Sequence, residues 1–240
     1  MTDDDTGSAT LSAMDVLLSA DTTENFGIAP AVSTLTPTAD SYISNANKNE
    51  NAGASTFLRI QNSGNNRTLI KFDESQIQAA VGNSTNYTAT LKCAITATGN
   101  NTTSGRQFDL NRLLQDWTEG NGFVSGNPTP TRGTGSGVTW TCATDTNITN
   151  TGTNCASGET WDMIDTSFWP FNATPTATTI ITKNQTGTVS FDVTSDVQSF
   201  INGTLNDGWL LKLDNEAVSG KVEVGSKESS SSPLLVITRN

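Results

Sequence analysis

The chain has 240 residues, of which 34% are hydrophobic and 15% are charged, and its net charge is −11. That charge argues against nucleic acid or an anionic lipid surface as a partner, because both need a cluster of basic side chains. No apolar run approaches the roughly 20 residues of a membrane-spanning helix, so we expect no membrane insertion. The low charge and the many Thr, Ser, Asn and Gly residues are typical of β-rich extracellular proteins.

The first 35 residues are polar apart from one apolar segment, LSAMDVLLSA, at residues 11–20. Its apolar side chains alternate as in a strand, but part of the same set also fits one side of a short helix. We assign residues 1–35 to an extended N-terminal arm, which is a candidate strand for pairing with another copy of the chain. The candidate assembly residues in this arm are Leu11, Met14, Val16 and Leu18.

From residue 36 onward, short segments of alternating apolar and polar residues recur, and many are separated by turn-forming residues. They favour an all-β fold over residues 36–240, an antiparallel β-sandwich of jelly-roll type. Strands are predicted within DSYIS, STFLRIQ, RTLIKFD, YTATLKCAITAT, RQFDL, GVTWTC, TATTIIT, GTVSFDV, GWLLKL, GKVEVGS and PLLVIT.

Two segments change to helical spacing and predict two short helices. In TSDVQSFING, either Thr194 or Ser195 is the expected N-terminal cap. This helix lies between two predicted strands, and we interpret FDVTSDVQSFINGTLNDGWLLKL as scaffold that closes one end of the sandwich. The other helix is predicted within LNRLLQDWTEG, with one face formed by Leu110, Leu113, Leu114 and Trp117.

The three cysteines differ in their surroundings. Cys142 and Cys155 bracket a polar loop, and neither has a partner at zinc-ligand spacing in a chain that contains no histidine. We expect a disulfide between them, which would stabilise the fold by about 3 kcal/mol and indicate an oxidising compartment. Two free thiols are the alternative. Cys93 alternates with apolar residues, so we expect a buried core thiol that does not act as a nucleophile.

The segment from Gly120 to Thr178 carries few strand signals and an aromatic cluster, DTSFWPFN. Aromatic rings stack on sugars and anchor protein interfaces, but they also hold long loops against a sandwich, and both interpretations stay open. The candidate sugar or interface aromatics are Trp161, Phe168, Trp169 and Phe171. Asn-X-Ser/Thr sequons in predicted turns are candidate glycosylation sites, which would make the chain a glycoprotein. They are at Asn66, Asn83, Asn86, Asn101, Asn147, Asn172, Asn184 and Asn202.

Catalytic chemistry has little support in this sequence. Without histidine there is no Ser-His-Asp or Cys-His arrangement and no histidine-ligated metal. The paired carboxylates fall in polar turns and loops, where solvated acids are the ordinary expectation. We predict that the chain is not an enzyme and needs no cofactor or metal. Ca²⁺ is the one alternative, because oxygen ligands crowd DSYISNANKNENAGAS, although that segment does not match a helix-loop-helix site.

Several segments together carry a resemblance, in this order: TADSYISNANKNENAGASTFLRI, RTLIKFDES, LNRLLQDWTEGNG, GVTWTCATDTN, VSFDVTSDVQSFINGTLNDGWLLKL and SGKVEVGSKESSSSPLLVIT. Over residues 36–238 the chain resembles the DNRLRE-domain family, a β-sandwich related to carbohydrate-binding modules of secreted and surface proteins. The resemblance implies a jelly-roll-like fold, an extracellular location and no catalysis. Some relatives of the family bind polysaccharide.

Our first interpretation is a non-catalytic structural subunit at the cell surface. Copies of the chain would be its partners, and they would assemble into a filament, a sheath or an adhesive layer through strand addition by the N-terminal arm. The alternative is a carbohydrate-binding module that recognises a polysaccharide through loop aromatics. A virion surface protein is a second alternative.

Overall fold

A computed structural model describes residues 30–123, 131–156, 161 and 170–240 of the chain. Its eleven strands pair antiparallel in one sheet that curls into two facing halves, which confirms the predicted all-β sandwich with two short helices. Neither helix is long and apolar enough to cross a membrane. The elements are β1 (Ala31–Leu35), β2 (Ala39–Ser44), β3 (Phe57–Gln61), β4 (Asn66–Lys71), α1 (Glu74–Val81), β5 (Tyr87–Gly99), β6 (Arg106–Arg112), β7 (Ala177–Ile181), β8 (Gly187–Asp192), α2 (Thr194–Ile201), β9 (Trp209–Leu213), β10 (Lys221–Gly225) and β11 (Leu234–Arg239).

Each half of the sheet has its own strand order. In the first half, the long strand β5 pairs with β8 along one edge. Along its other edge it pairs first with β11 and then with β10. Strand β1 pairs with the far edge of β11, and β3 pairs with the far edge of β10. In the second half the order is β2, β4, β9, β6 and β7. The β3–β4 hairpin joins the halves through one pair, Gln61 with Asn66.

Apolar side chains from both halves and both helices fill the space between them. Alternate residues of β3 to β11 point inward and form a single buried cluster, and Leu35 of β1 packs against it. Cys93 lies in this cluster as a free buried thiol. The largest buried side chains of this core are Phe72, Phe108, Phe191, Phe200 and Trp209.

The segment β8–α2–β9 forms the scaffold that its sequence pattern predicts. Val197 and Phe200 on α2 are buried in the core, and the buried Asp196 carboxylate accepts hydrogen bonds from the Trp209 indole at 2.8 Å and the Thr176 hydroxyl at 2.6 Å. The predicted cap is wrong, because Val193 precedes the first turn and no side chain caps it. The Thr194 hydroxyl instead accepts from the Ala89 amide on β5 at 2.9 Å.

The outer face of the second half is covered by the long segment between β6 and β7, residues 113–176, which we call the covering segment. Its described residues are 113–123, 131–156, 161 and 170–176. Apolar side chains on this face meet large rings from the segment and form a second buried cluster. Its members are Ile43, Leu69, Leu113, Trp117, Val138, Trp140, Ala143, Trp161, Phe171 and Leu210. Strands β4 and β9 are therefore buried on both faces, although they belong to an antiparallel sheet.

Arg67 on β4 holds this covering segment in place. Its guanidinium makes two hydrogen bonds with the Glu216 carboxylate, at 2.7 and 2.8 Å, and donates to the Trp161 carbonyl. The same group lies 4.7 Å from the centroid of the Trp140 ring and 5.7 Å from that of Phe171. A charged group is thus buried among aromatic rings with its donors satisfied, which links the strand to the covering segment.

The predicted disulfide between Cys142 and Cys155 is present within the covering segment, with the two Cα atoms 5.1 Å apart.

Several local predictions are wrong. LNRLLQDWTEG is not helical: Leu110 lies in β6, paired with β9 and β7, and Leu113 forms an isolated bridge with Phe171. The four apolar residues therefore do not form one helical face. Leu110 belongs to the inner core, and Leu114 is exposed. Leu113 and Trp117 belong to the second cluster. GVTWTC is not a strand, and only Gly137 forms a bridge there.

The first helix is α1, which the sequence reading missed. The Asp73 side chain accepts from the Gln76 amide at 2.9 Å and caps the first turn, and Ile77, Ala80 and Val81 face the core.

Strand β1 lies inside the region assigned to the N-terminal arm. It pairs with β11 over its whole length, from Ala31 with Arg239 to Leu35 with Leu235, and Leu35 packs against the core. Residues 31–35 are therefore part of the sheet, and the domain begins before residue 36. The candidate assembly residues Leu11, Met14, Val16 and Leu18 lie outside the described residues.

Removing one partner of the buried ion pair tests how strongly it holds the covering segment. We expect Glu216→Gln to lower the free energy of unfolding by about 3 kcal/mol, because the Arg67 charge stays buried without its counterion. Asp116→Asn is the control: it breaks a pair with Lys71 whose acidic side chain is 76% exposed, and should cost less than about 1 kcal/mol. Urea unfolding measures both. Equal losses in the two variants would contradict this role of Arg67.

Thiol titration tests the core position of Cys93. Burial raises the pKa of its thiol to about 12, so we expect no reaction with a thiol reagent in the folded chain at neutral pH. Unfolding without reductant should expose one thiol, and unfolding with reductant should expose all three cysteines. A fast-reacting thiol in the native chain would contradict the buried position.

Candidate functional site

The outer face of the first half of the sheet is the counterpart of the covered face, and we call it the open face. It consists of the outward side chains of β1, β3, β5, β8, β10 and β11, which are exposed or half-buried in the described part of the chain. One half of the sheet is thus closed on both sides, and the other presents a broad surface.

Strand register arranges the open face in rows across the strands. One row runs from Thr34 through Val236 and Thr90 to Asp192, and the next contains Leu234, Lys92 and Ser190. In these two rows Thr34, Thr90 and Ser190 carry hydroxyl groups, Lys92 carries an ammonium and Asp192 carries a carboxylate. A third row contains Val32, Thr238 and Thr88.

A polar cleft of about 490 Å³ adjoins the open face where β8 ends and α2 begins. Asp192 belongs to both the cleft and the outer side of β8, so the two surfaces are continuous. The Asp192 carboxylate accepts from the Thr194 amide at 2.9 Å. The lining carries mostly groups that both donate and accept hydrogen bonds, at Thr176, Thr194, Ser195 and Gln198.

An aromatic and cationic corner lies where β3 meets β2. The Phe57 and Tyr42 rings stack with centroids 5.8 Å apart, and the Arg59 guanidinium lies 4.9 Å from the Phe57 centroid. Arg59 also pairs with Glu223 at 2.8 Å, and Glu223 pairs with Lys221 at 2.9 Å. Burial raises the pKa of Tyr42 to about 12, so its phenol stays neutral. Arg59 and Lys221 thus share the one carboxylate of Glu223 at this end of the open face.

The candidate aromatics from the sequence have different positions. Trp161 and Phe171 are 0% and 1% exposed in the second cluster, so neither ring presents a face to a ligand in this structure. Their burial corresponds to the alternative in which rings hold the loop against the sandwich. Phe168 and Trp169 lie outside the described residues. The exposed large apolar side chains of the described part are Val32, Leu114, Ile180 and Leu205, none of which is aromatic.

The candidate glycosylation sites also differ in accessibility. Asn66 and Asn101 are buried, and their side chains bond the backbone, with the Asn66 amide donating to the Ser63 carbonyl and the Asn101 carbonyl accepting from the Lys221 amide. These two side chains are not available for a glycan in the folded chain. The exposed or half-buried candidates are Asn83, Asn86, Asn147, Asn172, Asn184 and Asn202.

Three of the acidic side chains in turns and loops make contacts within the fold. Asp116 pairs with Lys71, Glu216 with Arg67, and Glu119 accepts from the Asp40 amide at 2.7 Å. The open face was not predicted as a site, although its sequence signal was present. Threonine and serine at alternate positions of YTATLKCAITAT and GTVSFDV mark an uncovered strand face.

Residues 31–134 match the model of carbohydrate-binding module family 96. This stretch is somewhat less than half of the chain, and it runs from β1 through β6 into the covering segment. A comparison with curated proteins finds no match. The family match supports a carbohydrate-binding-module-like family, while the narrower DNRLRE name stays a prediction. This chain is thus similar, over its first six strands, to modules that bind carbohydrate.

Proposed function

We propose that the chain is a non-catalytic extracellular module that binds a polysaccharide through the open face and the adjoining cleft. The observation that carries the proposal is the match of residues 31–134 to a carbohydrate-binding module family. The disulfide supports the extracellular location, because such bonds persist in oxidising compartments. Self-assembly as a structural subunit, our first interpretation from the sequence, has less support.

The geometry of the open face supports a polymer as the ligand. The neighbouring strands β1, β11, β5 and β8 together present a surface roughly 14 Å wide, because adjacent strands lie about 4.8 Å apart. A surface of this kind suits a long chain that crosses several strands, whereas a single sugar ring needs an enclosing pocket. The Thr and Ser hydroxyls can each donate to and accept from sugar hydroxyls.

The charge of the chain supports a neutral polysaccharide. A net charge of −11 repels a polyanion at long range, and the outward side chains of β5 and β8 carry only one positive group, Lys92. A neutral sugar avoids this repulsion and needs only hydrogen bonds and apolar contact. We therefore expect neutral glucans, mannans or xylans to bind more tightly than uronic acid polymers.

Removing hydrogen-bonding groups from the open face tests its role. We expect the triple variant Thr88→Val, Thr90→Val, Lys92→Met to bind at least tenfold more weakly, because each lost hydrogen bond is worth about 0.5–1.5 kcal/mol. Valine and methionine keep strand propensity and volume, so the fold should persist. Affinity electrophoresis in a panel of soluble neutral polysaccharides finds the ligand, and calorimetry then gives the affinity.

A matched control carries the same kinds of substitution in turns outside the strands, Thr103→Val and Lys183→Met, both at exposed positions. It should bind like the wild type. Undiminished binding by the open-face variant would refute this contact surface. If Trp169→Ala lost binding and the open-face variant kept it, the loop aromatics would be the contact residues for the polysaccharide. Absence of binding to every polysaccharide tested would count against the proposed function itself.

Self-assembly is the second candidate, favoured by one feature of β1. In the described part of the chain β1 pairs only with β11, and Val32 is 61% exposed. A groove of about 300 Å³ between β1 and α1 is lined in part by Leu35, Ala79 and Ala80. An unpaired strand edge beside an apolar groove could accept a strand from a second copy, and the N-terminal arm would supply it.

Deleting residues 1–29 tests this second candidate while leaving β1 in place. If the arm joins copies, we expect filaments of the full-length chain in negative-stain electron microscopy and monomers of the deletion variant. The paired substitution Met14→Ser, Val16→Ser should weaken assembly without shortening the chain. Filaments that persist unchanged without the arm, or a full-length chain that stays monomeric, would exclude this role.

A further inference from the structure

Three acidic side chains from distant parts of the sequence converge beside the start of β2. Asp40 lies on β2, Glu119 on the segment after β6, and Glu228 on the turn between β10 and β11. One carboxylate oxygen from each residue lies within 4.8 Å of the other two. Acidic groups at this separation repel one another, so some positive charge has to offset the repulsion.

A single lysine supplies part of that positive charge. The Lys227 ammonium lies 3.2 Å from the Glu119 carboxylate and 2.5 Å from that of Glu228. Its backbone amide also donates to Asp40 Oδ2 at 2.7 Å. One ammonium offsets at most one of the negative charges that these three groups can carry, so the carboxyl groups still repel one another.

An unpartnered buried oxygen is the independent sign that a ligand belongs here. Asp40 is 1% exposed, and its Oδ1 atom has no hydrogen-bond donor in the described part of the chain. A buried carboxylate oxygen without a donor is costly, and buried charges are normally paired or bound to metal. Burial raises the pKa of Asp40 to about 8, and the negative charges of Glu228 and Glu119 add to the rise.

We propose that Asp40, Glu119 and Glu228 form a binding site for a divalent cation of the Ca²⁺ class. Oxygen atoms bound to one Ca²⁺ at 2.3–2.6 Å lie at most about 5 Å apart, so the three carboxylates reach a common ion without rearrangement of the backbone. Ca²⁺ also accepts irregular sets of oxygen ligands and water, whereas Mg²⁺ demands near-octahedral geometry.

Lys227 is the group that the ion replaces. Its side chain is 26% exposed and projects from a turn, so it can rotate into solvent when the ion enters. The ion would then join the start of β2, the beginning of the covering segment and the β10–β11 turn. These three segments are far apart in sequence, so an ion at this position would fasten the covering segment to the sheet. This site is separate from the open face and does not depend on sugar binding.

Calorimetry of the chelator-treated full-length chain with CaCl₂ tests the proposal. We expect one Ca²⁺ per chain, and a Tm that rises by about 4 °C or more when Ca²⁺ is well above its Kd. MgCl₂ should bind at least tenfold more weakly. Absence of both the binding heat and the Tm shift with Ca²⁺ would overturn the proposal.

Variants identify the ligands without relying on the buried aspartate alone. Glu228→Gln alters a turn residue and should weaken Ca²⁺ binding at least tenfold, whereas Glu74→Gln on α1 is the control and should leave it unchanged. Lys227→Met removes the competing ammonium and should tighten binding several-fold. Asp40→Asn should abolish binding, with circular dichroism to establish that it folds. Unchanged affinity in Glu228→Gln, or binding that appears only in Lys227→Met, would refute the site in the natural chain.

Discussion

The structure depends on the need to bury both faces of one half of the sheet. Strand β9 carries Trp209 and Leu211 on the side of the inner core and Leu210 on the opposite side, where it would meet water without a cover. The long segment after β6 supplies that cover with large aromatic rings. Arg67 then holds the covering segment to the sheet, and the Cys142–Cys155 disulfide links two parts of that segment to each other.

This constraint decides where a ligand can bind. Because the rings of the covering segment are used for burial, the described part of the chain offers hydroxyl groups and a polar cleft as its free surface. The open face is accessible because nothing in the described part packs against it, and β3, β5, β8, β10 and β11 alternate between core and solvent. The alternation that buries apolar side chains in the core thus also leaves hydrogen-bonding side chains on the open face, where a hydrated ligand such as a polysaccharide can contact them.

Local patterns predicted much of this fold. Alternating apolar and polar residues predicted strands β2 to β11, and the change to helical spacing predicted α2. The same alternation also predicted a strand in GVTWTC, where none forms. The helix predicted in LNRLLQDWTEG failed because Leu110 is buried on one side of the sheet and Leu113 and Trp117 on the other, which imitates helical spacing. Helix α1 was missed although Asp73 and Gln76 form a capping pattern there, and β1 was missed because AVSTL has little alternation.

The candidate sites were harder to predict, since they depend on contacts between distant residues. No spacing in the sequence indicates that Trp161 is buried against Arg67, or that Asp40 and Glu228 approach one another. Long-range packing of this kind is set by tertiary structure and not by the neighbours of each residue.

The burial of Asn66 has a consequence for how the protein is made. This asparagine lies at the hairpin that joins the two halves of the sheet, within an acceptor sequence for N-linked sugars. An oligosaccharide attached there during synthesis would be too large for the space between neighbouring strands, and the halves could not close. Hosts that lack this modification are therefore the suitable source of correctly folded material.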